Sequence, residues 1–372
     1  MKVGILTFHR AINYGAVLQC YALYRILLGM GHDVEIVDYR PDYIERFRKL
    51  FPRYDYRQES TIVGKIKTLI KFGTHFFIKK EANRRFDKFL RDNFLFSSSI
   101  VSKSSLIENY DAIVFGSDQI WSTKICDGVD PVFWGQTVVG KVRLIAYAAS
   151  MEAIDSLNAE SLALISMYAK SFYSISVRES QLQVALQKMN VTANLVCDPV
   201  ILANRTVFDK IAEDSALNDF VLVYSVVAVN NIRTLAKKIA SQLGCKQVIS
   251  VSAHRPVRSY RMKCISPSVN EFLGLVRSAK CVVTSSFHGT LLSIIFRKDF
   301  YSLRHYKQNR IEDFLSRIGL DSRLISVDDE NLAKFHFEEI DYTSVEHLIE
   351  DERTSSLRYL NNAMTLNLSL ES

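Results

Sequence analysis

Cys281-Val-Val-Thr-Ser-Ser-Phe-His-Gly-Thr290, continued by Leu291-Leu-Ser-Ile-Ile-Phe296, is the stretch that decides the fold. A β-branched run of strand length, a Ser/Gly turn and a second apolar run of helical length read as a strand feeding a helix. His288 then falls at the helix start, where free backbone N–H groups and the positive end of the dipole gather. The turn is an anion site with an acid/base side chain at its mouth, although a histidine in that position can also do no more than cap the turn.

At least four other places repeat the plan of a hydrophobic strand ending in polar or glycine residues. In doubly wound α/β sheets such carboxyl ends line one crevice, which favours the functional reading of His288. Val3-Gly-Ile-Leu-Thr-Phe8, a helix from Ala16 to Met30 and Val34-Glu-Ile-Val-Asp-Tyr39 make a βαβ unit. The loop between them lacks the glycine spacing of a dinucleotide site and offers Asn13 and Tyr14 instead. Strands then read over Asp111–Asp118, Val142–Ser150, Tyr173–Glu179 and Leu195–Pro199, depositing Gly116, Ser117 and Asp118, then Ser150, Arg178 with Glu179, and Asp198. A second α/β series runs from Phe220 through the His288 unit to a helix over Asn309–Gly319.

A chain of 372 residues exceeds the size at which one core usually keeps growing. The expectation is an α/β protein of two Rossmann-like domains facing a central cleft, an architecture resembling B-type glycosyltransferases. Residues 1–205 form the first domain, residues 206–340 the second, and residues 341–372 a helical segment placed to cross back onto the first. Hydrophobic residues at 48% and charged residues at 23% suit a globular protein with a large core. No apolar run reaches the roughly 18 residues that span a bilayer, and Met1–Phe8 reads as a strand, so the expected location is the cytosol. The six cysteines are scattered without CxxC pairs or metal-ligand spacing, and Cys20 and Cys197 read as core residues.

The net charge of +7 is concentrated: residues 40–91 hold 15 Lys/Arg against 6 Asp/Glu, a helical insertion in the first domain. A solvated helix face explains this as well as an anionic partner does. Ile62–Lys80 mixes apolar and basic positions as a helix on the inner face of a membrane would, and as an ordinary packed amphipathic helix would too. Tyr54, Tyr56 and Phe86 lie in the segment, but no nucleic-acid motif accompanies them, and no nucleic acid is expected as a partner.

The ordered turns Asn13–Leu23, Tyr110–Trp121, Tyr147–Ser150, Ile175–Glu179, Asp198–Val200 and Ser286–Thr290 resemble the signature stretches of the polysaccharide pyruvyl transferase family. The resemblance spans residues 3 to about 320. It implies transfer of the enolpyruvyl carbons of phosphoenolpyruvate to two hydroxyls of a sugar, giving a cyclic ketal in surface polysaccharide (capsule or exopolysaccharide) biosynthesis; if the basic segment 40–91 meets an anionic partner, a lipid-linked oligosaccharide is the acceptor expected. By that resemblance His288 is phosphoenolpyruvate ligand and general acid, and Arg178 the clamp on its carboxylate or phosphate. Asp118 contacts or deprotonates the acceptor hydroxyl or merely caps its turn, and Asn13 and Tyr14 are candidates for sugar binding. Ser117, Ser285, Ser286 and Gly289 are candidate ligand contacts. Arg310 falls in a basic cluster with Arg304 and His305 that a solvated helix start would equally explain. Glu179 and Asp198-Pro199 read as a helix start and a chain turn. No cofactor or metal is called for. The competing readings are a nucleotide-sugar glycosyltransferase of the same fold and a non-catalytic anion- or glycan-binding module.

Overall fold

The computed structural model describes residues 1–51, 60–152, 154–227, 229–253, 263–304, 309–326 and 328–365. Tyr54, Tyr56 and His305 lie outside them.

The first half runs β1 (Lys2–Leu6), α1 (Tyr14–Gly29), β2 (Asp33–Ile36), α2 (Asp42–Arg48), α3 (Ile62–Asn93), β3 (Ala112–Asp118) and β4 (Arg143–Ala149). It continues with α4 (Ala159–Ala169), β5 (Ser174–Val177), α5 (Ser180–Lys188), β6 (Asn194–Leu195), α6 (Pro199–Leu202) and α7 (Asn204–Asp209). The second half runs β7 (Phe220–Tyr224), α8 (Ile232–Gln242), β8 (Gln247–Val251), β9 (Lys263–Ile265), α9 (Val269–Ser278), β10 (Cys281–Thr284) and α10 (Phe287–Ile295). It ends with β11 (Asp299–Leu303), α11 (Asn309–Arg317), β12 (Leu324–Ile325), α12 (Asp329–Lys334) and α13 (Tyr342–Met364).

These elements form two parallel six-stranded sheets, ordered β2-β1-β3-β4-β5-β6 and β12-β11-β10-β7-β8-β9. Parallel strands buried on both faces read as continuous apolar runs, and β7 (Phe220-Val-Leu-Val-Tyr224) and β10 are buried at every residue. All pairings are parallel, and the order in which strands are added reverses between β1 and β3 in one sheet and between β7 and β10 in the other. A crevice opens at such a switch point, beyond the carboxyl ends of the strands.

Helix α1 begins at Tyr14, two residues before the sequence-based boundary, because Asn13 is its N-cap: Oδ1 accepts from the backbone N–H of Gly15 (2.9 Å) and Ala16 (3.3 Å). That early start turns Tyr14 inward. Its ring stacks on Phe272 of α9 at 4.2 Å, sits 5.3 Å from Phe86 of α3 and 5.9 Å from Tyr224, and its hydroxyl donates to Pro267 O at 2.7 Å. The two halves thus share one aromatic seam at the mouth of the crevice.

Helix α13 lies against the first sheet. The backbone N–H of Cys197 donates to Ser356 Oγ at 2.8 Å, Ser174 Oγ donates to the Tyr359 hydroxyl at 2.8 Å, and Arg353 Nε donates to Ile201 O at 3.0 Å. Cys20 and Cys197 are buried; burial pushes both thiols up, Cys197 to about 12. Trp121 is also core, stacked on Trp134 at 4.2 Å. Among the described residues no helix is long and apolar enough to cross a membrane.

Candidate active site

The carboxyl ends of β3, β4, β5, β6 and β10 converge where the sheets face each other, with Arg178 at the centre. It is the residue after β5, and only 1% of its surface is exposed. Nη1 donates to Asp198 Oδ2 at 2.5 Å and to Ser117 Oγ at 3.0 Å, while Nε lies 3.4 Å from Glu179 Oε1. The guanidinium carbon stands 4.8 Å from the centre of the Phe287 ring. Burial disfavours its charge, but Asp198, Glu179 and Asp118 outweigh burial and raise its pKa.

Asp198 serves two elements. Oδ1 caps α6 by accepting from the Val200 N–H at 2.9 Å, and Oδ2 accepts from Ser117 Oγ at 2.8 Å and from Arg178. His288 Nε2 lies 3.5 Å from the same oxygen, at ion-pair range. Burial alone would raise this carboxyl; His288, Arg178 and the Val200 N–H hold it well below the usual carboxylate range.

His288 occupies the first turn of α10, whose N-cap Ser286 accepts from the Gly289 N–H at 3.3 Å. Its ring lies on the backbone of Gly15 in α1: a Cβ at Gly15 would fall 2.4 Å from Nδ1. The two helix N-termini therefore meet, one from each sheet, with the imidazole between them. Gly289 is equally confined, since a Cβ there would come within 2.4 Å of Thr284 Oγ1.

Arg310, at the start of α11, reaches the same place. Both of its Nη atoms lie against the side-chain amide of Gln119, whose oxygen accepts from both once that amide is turned toward them, and its guanidinium carbon lies 5.9 Å from the Phe287 ring centre, on the ring that also holds Arg178. Burial first and then the neighbouring Arg178 lower its pKa, against the opposing pull of Glu179 and Asp118. Glu179 takes a bond from Ser150 Oγ at 2.5 Å; burial raises its carboxyl, more than Arg178 and Arg310 lower it.

Three buried polar atoms here have no hydrogen-bond partner among the described residues: Arg178 Nη2, Glu179 Oε2 and His288 Nε2. Arg178 Nη2 also lies 3.7 Å from Asp118 Oδ1. Buried polar groups are normally paired, so three orphans around one guanidinium mark a place built for a polar ligand. Backbone strain points to the same place: Asp118 (φ 72°) and Ala148 (φ 52°) on neighbouring strands hold left-handed conformations, and the β4–β5 register slips between Ala146 and Ala149.

Of the residues singled out from sequence, His288, Arg178, Asp118, Ser117, Gly289 and Arg310 come together. Ser117 is fully buried as a strut between Arg178 and Asp198. Ser285 is buried with its hydroxyl 2.7 Å from that of Ser225, and the Ser286 hydroxyl is spent on its cap. The expectation that Tyr14 binds sugar is corrected: its ring is wholly buried between Phe272 and Phe86, with no face on which a sugar could stack. Asn13 uses its carbonyl oxygen as the α1 cap. Arg304 points to Glu312, which it meets at 2.9 Å. Asp198 and Glu179 belong to the site although they read from sequence as a chain turn and a helix start, and Gln119, for which sequence suggests no role, joins them. Their one shared sign is that all follow strand ends. Among the described residues no cluster of His, Cys, Asp and Glu is gathered as metal ligands would be.

The family model for polysaccharide pyruvyl transferases matches residues 13–306. In three dimensions the chain is similar to S. aureus MnaA solved with UDP, at 12% identity and a TM-score of 0.50 over 96% of this chain and 90% of that one. It is also similar to the UDP-GlcNAc 2-epimerase of Neisseria meningitidis bound to UDP-GlcNAc, at 10% identity and a TM-score of 0.50 over 98% of this chain and 99% of that one. At these identities the likeness speaks to the fold, two facing Rossmann-like domains. No curated protein sequence matches the chain.

Proposed function

The chain belongs to the polysaccharide pyruvyl transferase family, and from that premise we propose that it converts phosphoenolpyruvate and a sugar diol into a cyclic pyruvate ketal and phosphate. The observation that carries the reading is the buried trio of atoms that make no hydrogen bond, Arg178 Nη2 and His288 Nε2, held only at ion-pair distance by Asp118 and Asp198 respectively, and Glu179 Oε2, beside a second guanidinium on Arg310. A small dense anion needs guanidinium donors in a site with little water, and a vinyl carbon needs a proton source at its side.

The donor sits with its carboxylate or phosphate against Arg310 and Arg178 Nη2. The imidazolium of His288 gives its proton to the methylene carbon, leaving an oxocarbenium-like centre at the neighbouring carbon. One sugar hydroxyl adds there and loses its proton to Asp118. Phosphate leaves with the electron pair of its carbon–oxygen bond and takes the proton held by Asp118, and the second hydroxyl closes the ring as its proton returns to His288. Asp198, 3.5 Å from Nε2, keeps the imidazole oriented. The acceptor is a sugar of surface polysaccharide biosynthesis, free or lipid-linked.

Thermal unfolding tests the donor. Phosphoenolpyruvate at 100 times its dissociation constant stabilises by about 2.7 kcal/mol. That gain is expected to vanish in His288→Ala and Arg310→Ala, the latter included because Arg178→Ala removes a buried ion-pair partner and can fail to fold. A response to UDP- or CMP-sugars in place of phosphoenolpyruvate would instead establish a glycosyltransferase.

A further inference from the structure

Helix α3 is two structures in one. Its C-terminal half is anchored: Ala82, Phe86, Phe89 and Leu90 are buried, and Arg85 reaches Ser266 O in the second domain. From Ile62 to Lys80, by contrast, no described residue is buried. These 19 residues extend about 28 Å at the usual helical rise. Their root is fixed by Lys79 Nζ donating to Lys49 O at 2.7 Å and Asn83 Nδ2 donating to Arg48 O at 2.7 Å.

The exposed face of this arm is apolar. Ile62 is 78% exposed, Val63 61%, Ile66 50%, Ile70 63% and Phe77 78%. At 100° per residue the five fall within an arc of about 100°, Lys65 and Lys67 lie within about 60° of its two edges, and exposed Lys80 closes the row at its anchored end. A surface helix normally turns such a stripe toward the core; here it faces outward. The stretch carries five lysines and no Asp or Glu, so an occupant of the stripe must present negative charge beside an apolar phase. An anionic bilayer offers both, with lysine stems snorkelling to the phosphates.

We propose that Ile62–Lys80 is a membrane-docking arm that lies in the headgroup region of an anionic bilayer, its apolar row turned to the acyl chains. The geometry stands apart from the donor chemistry above; joined to it, the arm holds the crevice at the surface where a lipid-linked acceptor resides.

The test is co-sedimentation of the full chain with phosphatidylglycerol/phosphatidylcholine vesicles and with phosphatidylcholine alone, beside thermal unfolding with phosphoenolpyruvate, whose outcome is independent. Binding to the anionic vesicles is expected to weaken about fivefold for each lysine neutralised in Lys65→Gln/Lys67→Gln. It should be lost in Ile66→Ser/Ile70→Ser/Phe77→Ser, with the melting temperature unchanged because none of the substituted residues is buried. Binding that ignores both variants overturns the proposal. So does absence of binding to the anionic vesicles; a dimer in sedimentation velocity that the triple variant abolishes would then assign the row to a second copy of the chain.

Discussion

Arg178 and Asp198 meet at 2.5 Å with neither side chain more than 1% exposed, the arginine from the end of one strand and the aspartate from the cap of the helix after the next. Stripping one partner from such a pair costs about 3–5 kcal/mol, because the other charge stays buried without compensation. Asp198→Ala is expected to lower the urea midpoint accordingly. In Asp198→Ala/Arg178→Leu the loss should be smaller than the sum of the single losses. Additive losses would show that the two do not hold each other.

Gly15 gives His288 its place, since any side chain there would meet the imidazole. Gly15→Ala should cost about 1–3 kcal/mol of overpacking. A catalytic group displaced by about 1 Å can lose 10²-fold in rate, and a drop in kcat of that order is expected. Adding His288→Ala vacates the space, so the double variant should be more stable than Gly15→Ala alone. A Gly15→Ala enzyme with full turnover would remove His288 from the chemistry.

The strand–turn–helix rhythm was legible because parallel strands buried on both faces leave unbroken apolar runs, as at β7 and β10. His288 and Arg178 were found because each ends such a run. Asp198 reads as a turn because its local role, capping α6, is real and accounts for the residue without its second partner, 20 positions earlier. Tyr14 misled for a related reason. The Asn13 cap makes it the first helical residue, and the rings that bury it belong to Phe86 and Phe272, far along the chain. The outward stripe of α3 was ambiguous because periodicity gives a face but not its direction.

Tyr14 therefore acts through packing. Tyr14→Phe leaves Pro267 O without its donor and should cost about 1 kcal/mol. Tyr14→Ala empties the seam between the domains and should cost about 3–5 kcal/mol. Neither Tyr14→Phe nor Phe272→Leu should raise KM for the acceptor in proportion to sugar stacking. A Tyr14→Phe variant of parental stability with a raised acceptor KM would return the ring to the binding site.

Glu179 should make stability depend on pH in a direction opposite to that of its neighbour. Burial raises its carboxyl above the ordinary value, so its contribution is complete below about pH 4.3 and is lost as pH rises through the folded value. Asp198 is shifted the other way; its contribution is present above about pH 3.9 and lost only on further acidification, leaving the window above to Glu179. Glu179→Gln cannot ionise. Measured against it in urea from about pH 4 to pH 8, the wild type should lose ground steadily as pH increases. Parallel stability curves would mean that Arg178 and Arg310 hold Glu179 charged throughout, and its unpartnered oxygen would then be a fixed acceptor for ligand rather than a site that stores a proton.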